Sequence, residues 1–439
     1  MSITVEVGLL SGRTATVEAG LDEKVGVLKR RSLAALGVDN GRLLDPSGSF
    51  LDDRATLKKA RVQNEASLTL YTCRVQVWGS RHSFAAMMGD RSIVTWGRSR
   101  YGGDSSAVQK QLENVTCIQA TGRAFAALLA DGSVVTWGDA VDGGDSSDVQ
   151  DQLRTVREIV ASPGGAFAAI LGDGTVVTWG NTRCGGLCDK LDRLKSVQKI
   201  CSSERAFAAI LTDGCVVTWG DEGFGGDSSA VQNQLTAVVQ LEATYSSFLA
   251  VTADGRVVTW GYVVGIPAPP NLKHLQQIVA AEAAFAALFG DGSVATWGDA
   301  KYGGDSSDVQ DQLKNVHQIH ASSGAFAAIL RDESVVTWGC RRHGGDSRTV
   351  QAKLKTVRHI QASSRAFVAI RGDGSVVTWG DVNHGGDSRA VQHQLKNVER
   401  VSASSRAFAA ILAGGSIVTW GDSETGGDSR SVQAQLLNR

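Results

Sequence analysis

The chain repeats the tripeptide Thr-Trp-Gly nine times, and this repetition constrains its fold more than any other feature. Successive tryptophans lie 37 to 42 residues apart, and a phenylalanine stands twelve residues before each one. We number the repeats units 1 to 9 by their tryptophans: Trp96, Trp137, Trp179, Trp219, Trp260, Trp297, Trp338, Trp379 and Trp420. A period near 40 residues is typical of solenoids and propellers, in which one unit cannot bury its apolar surface without its neighbours.

The core of each unit has the sequence pattern of a β-hairpin. In residues 125–138, FAALLADGSVVTWG, the pair Asp131-Gly132 separates two apolar runs and predicts a two-residue type I′ turn. That turn would set Ala126 opposite Trp137, so that each indole lies across a methyl group. Both faces of the hairpin are apolar, which predicts that each sheet is covered on both sides by its neighbours.

Two further segments complete the unit. Residues 115–120, VTCIQA, alternate with a period of two and predict a third strand before the hairpin. Residues 102–112, GGDSSAVQKQL, predict a short helical turn that Asp104 or Ser105 caps. Radial blades of three or four antiparallel strands, each covered by the next, satisfy this pattern. We therefore predict a mainly β protein with a propeller, or an open propeller-like array, of nine blades of about 41 residues.

The order IxAS, AFAAIL, DG, SVVTWGD and GG within the units resembles the repeats of the regulator-of-chromosome-condensation propeller family. The unit length is similar to the short-repeat bacterial members of that family, the propeller proteins that inhibit beta-lactamase. The resemblance covers residues 73–439. The chain departs from the family in having Ala or Ser where a histidine usually follows the first strand, and nine units instead of the usual seven. These departures imply a large ring, an open ring, or two units outside a closed ring.

Residues 1–72 do not repeat. Two alternating strands around Ser11-Gly12 precede an amphipathic helix over about 22–36, and a closing strand covers 67–71. In this order the elements resemble ubiquitin along its whole length, including Asp-x-Arg-x-Thr-Leu at 52–57. The resemblance implies a small α+β ubiquitin-like (β-grasp) domain over residues 1–72, fused to a propeller over residues 73–439.

The resemblance to ubiquitin also implies a binding patch. Leu10, Leu44 and Tyr71 stand where that family presents its apolar recognition surface, so they would bind a partner or pack against the first blade. No diglycine follows Tyr71, which implies a fused domain and not a conjugable modifier.

Motifs with catalytic or metal-binding associations have simpler explanations here. Gly-Gly-Asp-Ser occurs in seven units, whereas an esterase needs one nucleophile with a base and an orienting group, so a glycine bend and an Asp/Ser cap explain the copies better. Cys184, Cys188, Cys201 and Cys215 lie within one divergent stretch, but they stand at small-residue positions without paired zinc-ligand spacing. We expect reduced thiols, no catalytic residue, no metal and no cofactor. The scattered histidines, His317, His320, His343, His359 and His384 among them, are expected to be solvated.

Binding residues are expected where the units disagree, because variation on loops over a repeated frame makes binding surfaces. The residue before the paired glycines differs from unit to unit, while the hairpin cores hardly change. This position supplies Tyr101, Asp142, Cys184, Phe224, Tyr302, His343, His384 and Thr425. All of these except Cys184 and Thr425 are candidate protein-binding residues.

A second candidate set is basic. From residue 339 onward the chain has 14 Lys or Arg and 8 Asp or Glu, although the whole chain has a formal net charge of -1. Arg348, Arg389 and Arg430 occupy one equivalent position in the last three units, and Arg365 and Arg406 occupy another. An acidic protein is the predicted partner of this basic face, with nucleic acid as the lesser alternative and a merely solvated face as the simplest one.

Together these features predict a non-enzymatic adaptor. The ubiquitin-like domain would dock on ubiquitin receptors or proteasome components, and the propeller loops would bind a second protein. The alternatives are a guanine-nucleotide exchange factor for a small GTPase, against which the short uniform loops count, and a non-catalytic component of a ubiquitin ligase. The start of the chain lacks a secretion signal and no run of about 18 apolar residues occurs. We expect a cytoplasmic or nuclear monomer that does not bind membranes.

Overall fold

The fold is mainly β, as predicted. The computed structural model describes residues 2–9, 12–38, 41–71, 74–262, 265, 267–269 and 271–436. Those residues form one four-stranded sheet followed by nine three-stranded sheets. No helix within them is long and apolar enough to cross a membrane.

The first sheet belongs to the non-repeated segment. Its elements are β1 (Ser2–Gly8), β2 (Thr14–Gly20), α1 (Val25–Leu36), β3 (Arg42–Leu44) and β4 (Ala66–Tyr71). The strand order is β2-β1-β4-β3, with β1 parallel to β4 and the other pairs antiparallel. Helix α1 ends at Gly37, whose left-handed φ of 59° favours glycine. Val25, Leu28 and Leu36 of α1 pack in one core with the buried side chains of the sheet, so the predicted hairpin, helix and closing strand are confirmed.

Each later sheet contributes one unit, whose strands we call first, second and third in chain order. They are β5 (Gln76–Gly79), β6 (Ser83–Met87), β7 (Ile93–Gly97); β8 (Val115–Ala120), β9 (Ala124–Leu129), β10 (Val134–Gly138); β11 (Val156–Ser162), β12 (Ala166–Leu171), β13 (Val176–Gly180); β14 (Val197–Ser202), β15 (Ala206–Leu211), β16 (Val216–Gly220); β17 (Val238–Ala243), β18 (Ser247–Thr252), β19 (Val257–Gly261); β20 (Leu275–Ala280), β21 (Ala284–Phe289), β22 (Val294–Gly298); β23 (Val316–Ala321), β24 (Ala325–Leu330), β25 (Val335–Gly339); β26 (Val357–Ala362), β27 (Ala366–Arg371), β28 (Val376–Gly380); β29 (Val398–Ala403), β30 (Ala407–Leu412) and β31 (Ile417–Gly421). A short helix α2 (Gln433–Leu436) follows. The predicted three-strand unit is confirmed.

The hairpin register differs by one residue from the prediction. Trp137 pairs with Phe125 and not with Ala126. The carboxylate of Asp131 accepts hydrogen bonds from the backbone N–H and the hydroxyl of Ser133, at 2.9 and 2.6 Å. Gly132 has a φ of 82° while Asp131 has no positive φ, so the turn has three residues and a glycine bulge instead of the two-residue type I′ form.

This register stacks the phenylalanine of each unit on its tryptophan. The nine pairs have ring centroids 5.1 to 5.4 Å apart. In unit 2 the stack packs on Ala85, Met87 and Ile93 of unit 1, so each sheet is covered by the preceding one. The Trp137 indole also donates to the Gly102 carbonyl of unit 1 at 3.0 Å. A Cβ on Gly102 would lie 2.5 Å from the Phe125 ring, which explains a glycine there.

The units contact one another in a cycle. The first strand of each unit lies beside the first strand of the next, and β29 of unit 9 lies beside β5 of unit 1. Unit 9 also shares a core with unit 1, in which Ala407 and Ile411 pack with Phe84 and Trp96. Since the first strands are mutual neighbours, they line the centre of the array, and the third strands lie at its outer wall.

The joint between units 5 and 6 is irregular. Elsewhere the indole N–H of each unit donates to the first paired glycine of the preceding unit. Unit 5 has no paired glycines, and among the described residues the buried indole nitrogen of Trp297 has no hydrogen-bond partner. The shortest tryptophan spacing, 37 residues, falls at this joint.

Candidate protein-binding surfaces

The turns between first and second strands form a continuous inner rim on one face of the array. We define the inner rim as residues 80–83, 121–124, 162–166, 203–206, 244–247, 281–284, 322–325, 363–366 and 404–407. Backbone hydrogen bonds join these turns from unit to unit: Glu204 N–H donates to Tyr245 at 3.0 Å, and Tyr245 N–H donates to Glu282 at 3.1 Å. Glu282 N–H continues the series to Ser323 at 2.8 Å. The rim is therefore a rigid frame for the side chains that it carries.

The residues that precede the paired glycines lie against this rim. The hydroxyl of Ser322 donates to the His343 carbonyl at 2.8 Å, and that of Ser83 donates to the Tyr101 carbonyl at 2.6 Å. The same bond from a rim Ser or Thr reaches Asp142, Phe224, His384 and Thr425. The structure thus brings most of the variable set together with Arg365 and Arg406, which belong to the rim turns of units 8 and 9.

Aromatic rings and guanidinium groups meet at the rim. The Arg123 guanidinium carbon lies 5.0 Å from the Tyr101 ring centre, and that of Arg205 lies 4.8 Å from Phe224. The Phe224 and Tyr245 ring centroids are 5.6 Å apart. Cation–π contacts of this kind and the residue types Tyr and Arg are enriched in protein interfaces.

Sequence reasoning missed Arg123, Arg205 and Tyr245. Arg123 and Arg205 stand at the rim position that Arg365 and Arg406 occupy in later units. The rim turns also vary in sequence between units. Comparing that variation with the variation before the paired glycines would have identified these three residues.

Burial divides the variable residues into two groups. Asp142 and His384 are only 7% and 6% exposed, so their side chains support the rim and are not presented to a partner. Asp142 accepts a hydrogen bond from the Asn181 amide at 3.2 Å. Tyr101, Phe224, Tyr302 and His343 are half-buried, whereas Arg365 and Arg406 are exposed.

Charge at the rim is partly compensated. The Arg81 guanidinium contacts both carboxylate oxygens of buried Glu204, at 2.7 and 2.6 Å, and so links unit 1 to unit 4. Burial raises the pKa of Glu204, and Arg81 opposes that shift. Arg406 pairs with Asp422 at 3.2 Å. Among the described residues neither Arg205 nor Arg365 forms an ion pair, so these two cations are available to a partner.

The other arginine position does not join the inner rim. Ser347, next to Arg348, hydrogen-bonds Thr337 on the third strand of unit 7, which places Arg348 at the outer wall. Arg348 also contacts the carboxylate of Asp346 at 2.6 Å, and Arg389 and Arg430 contact Asp387 and Asp428 in the same way. Each of these three arginines is therefore largely neutralised by the aspartate two residues before it.

The patch of the first domain is partly engaged within the chain. The Tyr71 hydroxyl accepts a hydrogen bond from Arg91 of unit 1 at 3.1 Å, and the guanidinium lies 5.1 Å from the ring centre. Leu44 is half-buried in β3, and Leu10 lies outside the described residues. Of the two roles expected for the patch, contact with the first unit therefore applies to Tyr71.

The histidines are less solvated than expected. Burial lowers the pKa of His320 to about 4, and its ring lies 5.3 Å from that of His359 in unit 8. The expectation of solvated histidines is therefore wrong for His320 and for buried His384. Burial also raises the pKa of Cys184 and Cys188 to about 11, which makes these thiols unreactive. Within the described residues no three His, Cys, Asp or Glu side chains are placed to hold a metal ion.

No family model and no curated protein matches the chain. Among solved structures it is similar to Prp20p from Saccharomyces cerevisiae, with 14% identity, 76% of this chain and 85% of that chain covered, and a TM-score of 0.40. It is also similar to the CRINKLY WD40 ectodomain of the Arabidopsis thaliana receptor kinase ACR4, with 18% identity, 60% and 96% covered, and a TM-score of 0.38. A designed protein based on ubiquitin matches at 25% identity over 16% of this chain and 85% of its own, with a TM-score of 0.15. Another similar solved structure is that of Kap60 bound to yeast RCC1 (Prp20), with 15% identity, 81% of this chain and 80% of that chain covered, and a TM-score of 0.38.

Proposed function

We propose that this chain is a non-enzymatic protein-binding adaptor whose main partner docks on the inner rim. The observation that carries the proposal is the convergence of two independently variable positions on one face. The half-buried aromatic residues Tyr101, Phe224 and Tyr302 lie beside the rim turns. Those turns carry Arg205 and Arg365, neither of which forms an ion pair with a described residue. Anchored aromatic rings and unpaired guanidinium groups on a hydrogen-bonded frame are features of protein interaction hot spots.

We also propose that the nine sheets form a single closed propeller and that residues 1–72 form a ubiquitin-like domain. The cycle of contacts from unit 1 to unit 9 supports the ring, and the β2-β1-β4-β3 order with one helix supports the domain. This domain would dock on ubiquitin receptors or proteasome components through Leu44, because Tyr71 is already held by Arg91. The chain would join these two binding functions as an adaptor, and we propose the cytoplasm or nucleus as its location.

A guanine-nucleotide exchange factor is the second candidate. Exchange requires a wedge that opens the nucleotide site of the GTPase, whereas the segments after the described Thr-Trp-Gly tripeptides are mostly short turns such as Glu222–Phe224, closed by backbone hydrogen bonds. Assistance to a ubiquitin ligase is a third role that the same surfaces would serve.

Affinity capture with the full-length chain tests the proposal. We expect the R205E/R365E variant to lose the propeller partner and to keep the partner of the first domain. The control is R193E/R331E, which reverses two exposed arginines outside the inner rim. Equal capture of the propeller partner by both variants contradicts the proposal that this partner docks on the inner rim. A captured GTPase whose nucleotide release the chain accelerates would instead establish the exchange factor.

A further inference from the structure

The outer wall carries grooves of one repeated design. Each groove lies between the third strand of one unit and the connector of the preceding unit, where the connector is the segment from the paired glycines to the next first strand. The groove between units 7 and 8 has a volume of about 780 Å³, that between units 2 and 3 about 430 Å³, and that between units 9 and 1 about 890 Å³.

The grooves differ sharply in charge. The groove between units 7 and 8 is lined by Arg341, Lys353, Arg371 and Arg389 together with Asp346 and Asp387. The groove between units 2 and 3 is lined by two aspartates and no cation, and so is the groove between units 9 and 1. The same backbone frame is therefore basic at one place and acidic at two others.

Substitutions at equivalent repeat positions create this difference. Ala140 stands in unit 2 where Arg341 stands in unit 7, and Gln152 stands there where Lys353 stands. Ser147 of unit 2 corresponds to Arg348 of unit 7, and the same position is Arg389 in unit 8. None of these cations is needed by the fold, since the equivalent groove forms without them.

The cations are only partly compensated by their neighbours, although Arg389 pairs with Asp387 at 2.6 Å and Arg371 with Asp373 at 3.6 Å. The single carboxylate of Asp346 contacts both Arg341 and Arg348, at 2.9 and 2.6 Å, so one positive charge there is left over. Lys353 forms no ion pair with any described residue. At the edge of the groove Val382 is 62% exposed, although it is a large apolar side chain. The groove thus offers cations beside an apolar contact.

We infer that the groove between units 7 and 8 binds a short acidic segment of another protein in an extended conformation. This inference rests on the proposed role as a protein-binding adaptor and adds a second contact surface to it. A segment that alternates acidic and apolar side chains would set its carboxylates beside Lys353 and Arg341 and an apolar side chain on Val382. A polypeptide fits better than a nucleic acid, because the indole that lines the groove, Trp379, is 3% exposed and closed to stacking bases, while exposed Val382 suits an apolar side chain.

Fluorescence anisotropy with a fluorescein-labelled peptide of alternating glutamate and valine tests the inference on the full-length chain. We expect R341A/K353Q/R389S, which installs the residues of sister units, to weaken binding at least about tenfold, with the loss growing as salt is lowered. The converse variant A140R/Q152K, which copies Arg341 and Lys353 into unit 2, is expected to create a second peptide site on the wall between units 2 and 3. Far-UV circular dichroism and thermal unfolding verify that both variants fold.

Unchanged affinity in R341A/K353Q/R389S overturns the inference, and so does stronger displacement of the peptide by a single-stranded oligonucleotide than by unlabelled peptide. The rim variant R205E/R365E separates this inference from the proposed function. If that variant loses both the captured partner and the peptide, the peptide binds at the inner rim. The inference about the groove is then wrong, while the proposed function holds. If R205E/R365E still binds the peptide and R341A/K353Q/R389S does not, the groove is an independent binding site. This holds whether or not the inner rim binds the captured partner.

Discussion

The indole N–H of Trp96 in unit 1 donates to the carbonyl oxygen of Gly426 in unit 9, at 3.0 Å, and so joins two residues 330 positions apart. The same bond links Trp420 to Gly385 between units 9 and 8, also at 3.0 Å. The contact between the two ends of the repeat region is therefore built like an internal contact, and no disulfide or shared strand is involved among the described residues.

This equivalence predicts that G426A and G385A destabilise the protein equally. Both glycines have positive φ, 95° and 87°, and an added Cβ would lie 2.5 Å from the Phe ring of the next unit in each case. We expect each to cost on the order of 2 kcal/mol in the free energy of unfolding, from backbone strain and overpacking together. Urea denaturation measures both. A much smaller cost for G426A would mean that the ring is open between units 9 and 1.

The Trp297 indole of unit 6 lacks a hydrogen-bond partner among the described residues, which predicts that equivalent Trp-to-Phe substitutions in units 6 and 7 cost unequal amounts of stability. Trp338 donates to Gly303 at 3.1 Å, whereas the buried Trp297 nitrogen has no partner among the described residues. W338F removes a buried hydrogen bond and leaves a carbonyl unpaired, while W297F removes only an unsatisfied donor. We expect W338F to be more destabilising by about 1 kcal/mol in matched denaturant titrations. Equal losses would indicate that Trp297 finds a partner in solution.

Much of the fold follows from the sequence, because tryptophan and phenylalanine recur at fixed spacing and the apolar pattern has a period of two. The register did not follow, because the Asp131 carboxylate binds Ser133 locally and favours a three-residue turn over the two-residue turn that Asp-Gly suggests. The same aspartate bond recurs in eight units, and unit 9, which has Gly414 at this position, keeps the same register.

The site was predictable only in part, for a different reason. Residues such as Tyr101 were predicted correctly because variation between units appears directly when the repeats are aligned by sequence. The link from Arg81 to Glu204 was not, since it joins turns of units 1 and 4 that meet only when the array curves. Likewise, pairing of Arg348 with Asp346 two residues away removed most of the charge that the sequence count assigned to that position.

The Arg81–Glu204 pair predicts a pH-dependent cost for R81A. Glu204 is 5% exposed while Arg81 is 44% exposed, so loss of the guanidinium leaves a buried carboxylate unpaired. We expect R81A to cost about 1 to 2 kcal/mol at pH 7, less than for a fully buried pair because Arg81 is partly solvated. The cost should shrink as pH falls toward the ordinary glutamate range, because a protonated Glu204 does not need the cation. E204Q is the control: R81A in that background should cost little at any pH.

The His320–His359 contact predicts that stability falls on mild acidification. The pKa of His320 is lowered from 6.5 to about 4 by burial, so the unfolded chain binds a proton between these values that the folded chain does not. Stability from this group is therefore complete above pH 6.5 and is lost progressively down to about pH 4, by on the order of 1.4 kcal/mol for each pH unit. Units 2 and 8 carry Gln119 and Gln361 at the same position, which makes H320Q a substitution that the frame already accepts. We expect H320Q to flatten the dependence of the urea midpoint on pH between 6.5 and 4, and H317Q, on the exposed side of the same strand, to leave it unchanged. If H317Q and H320Q behave alike, His320 is solvated in solution and its burial does not control the acid response.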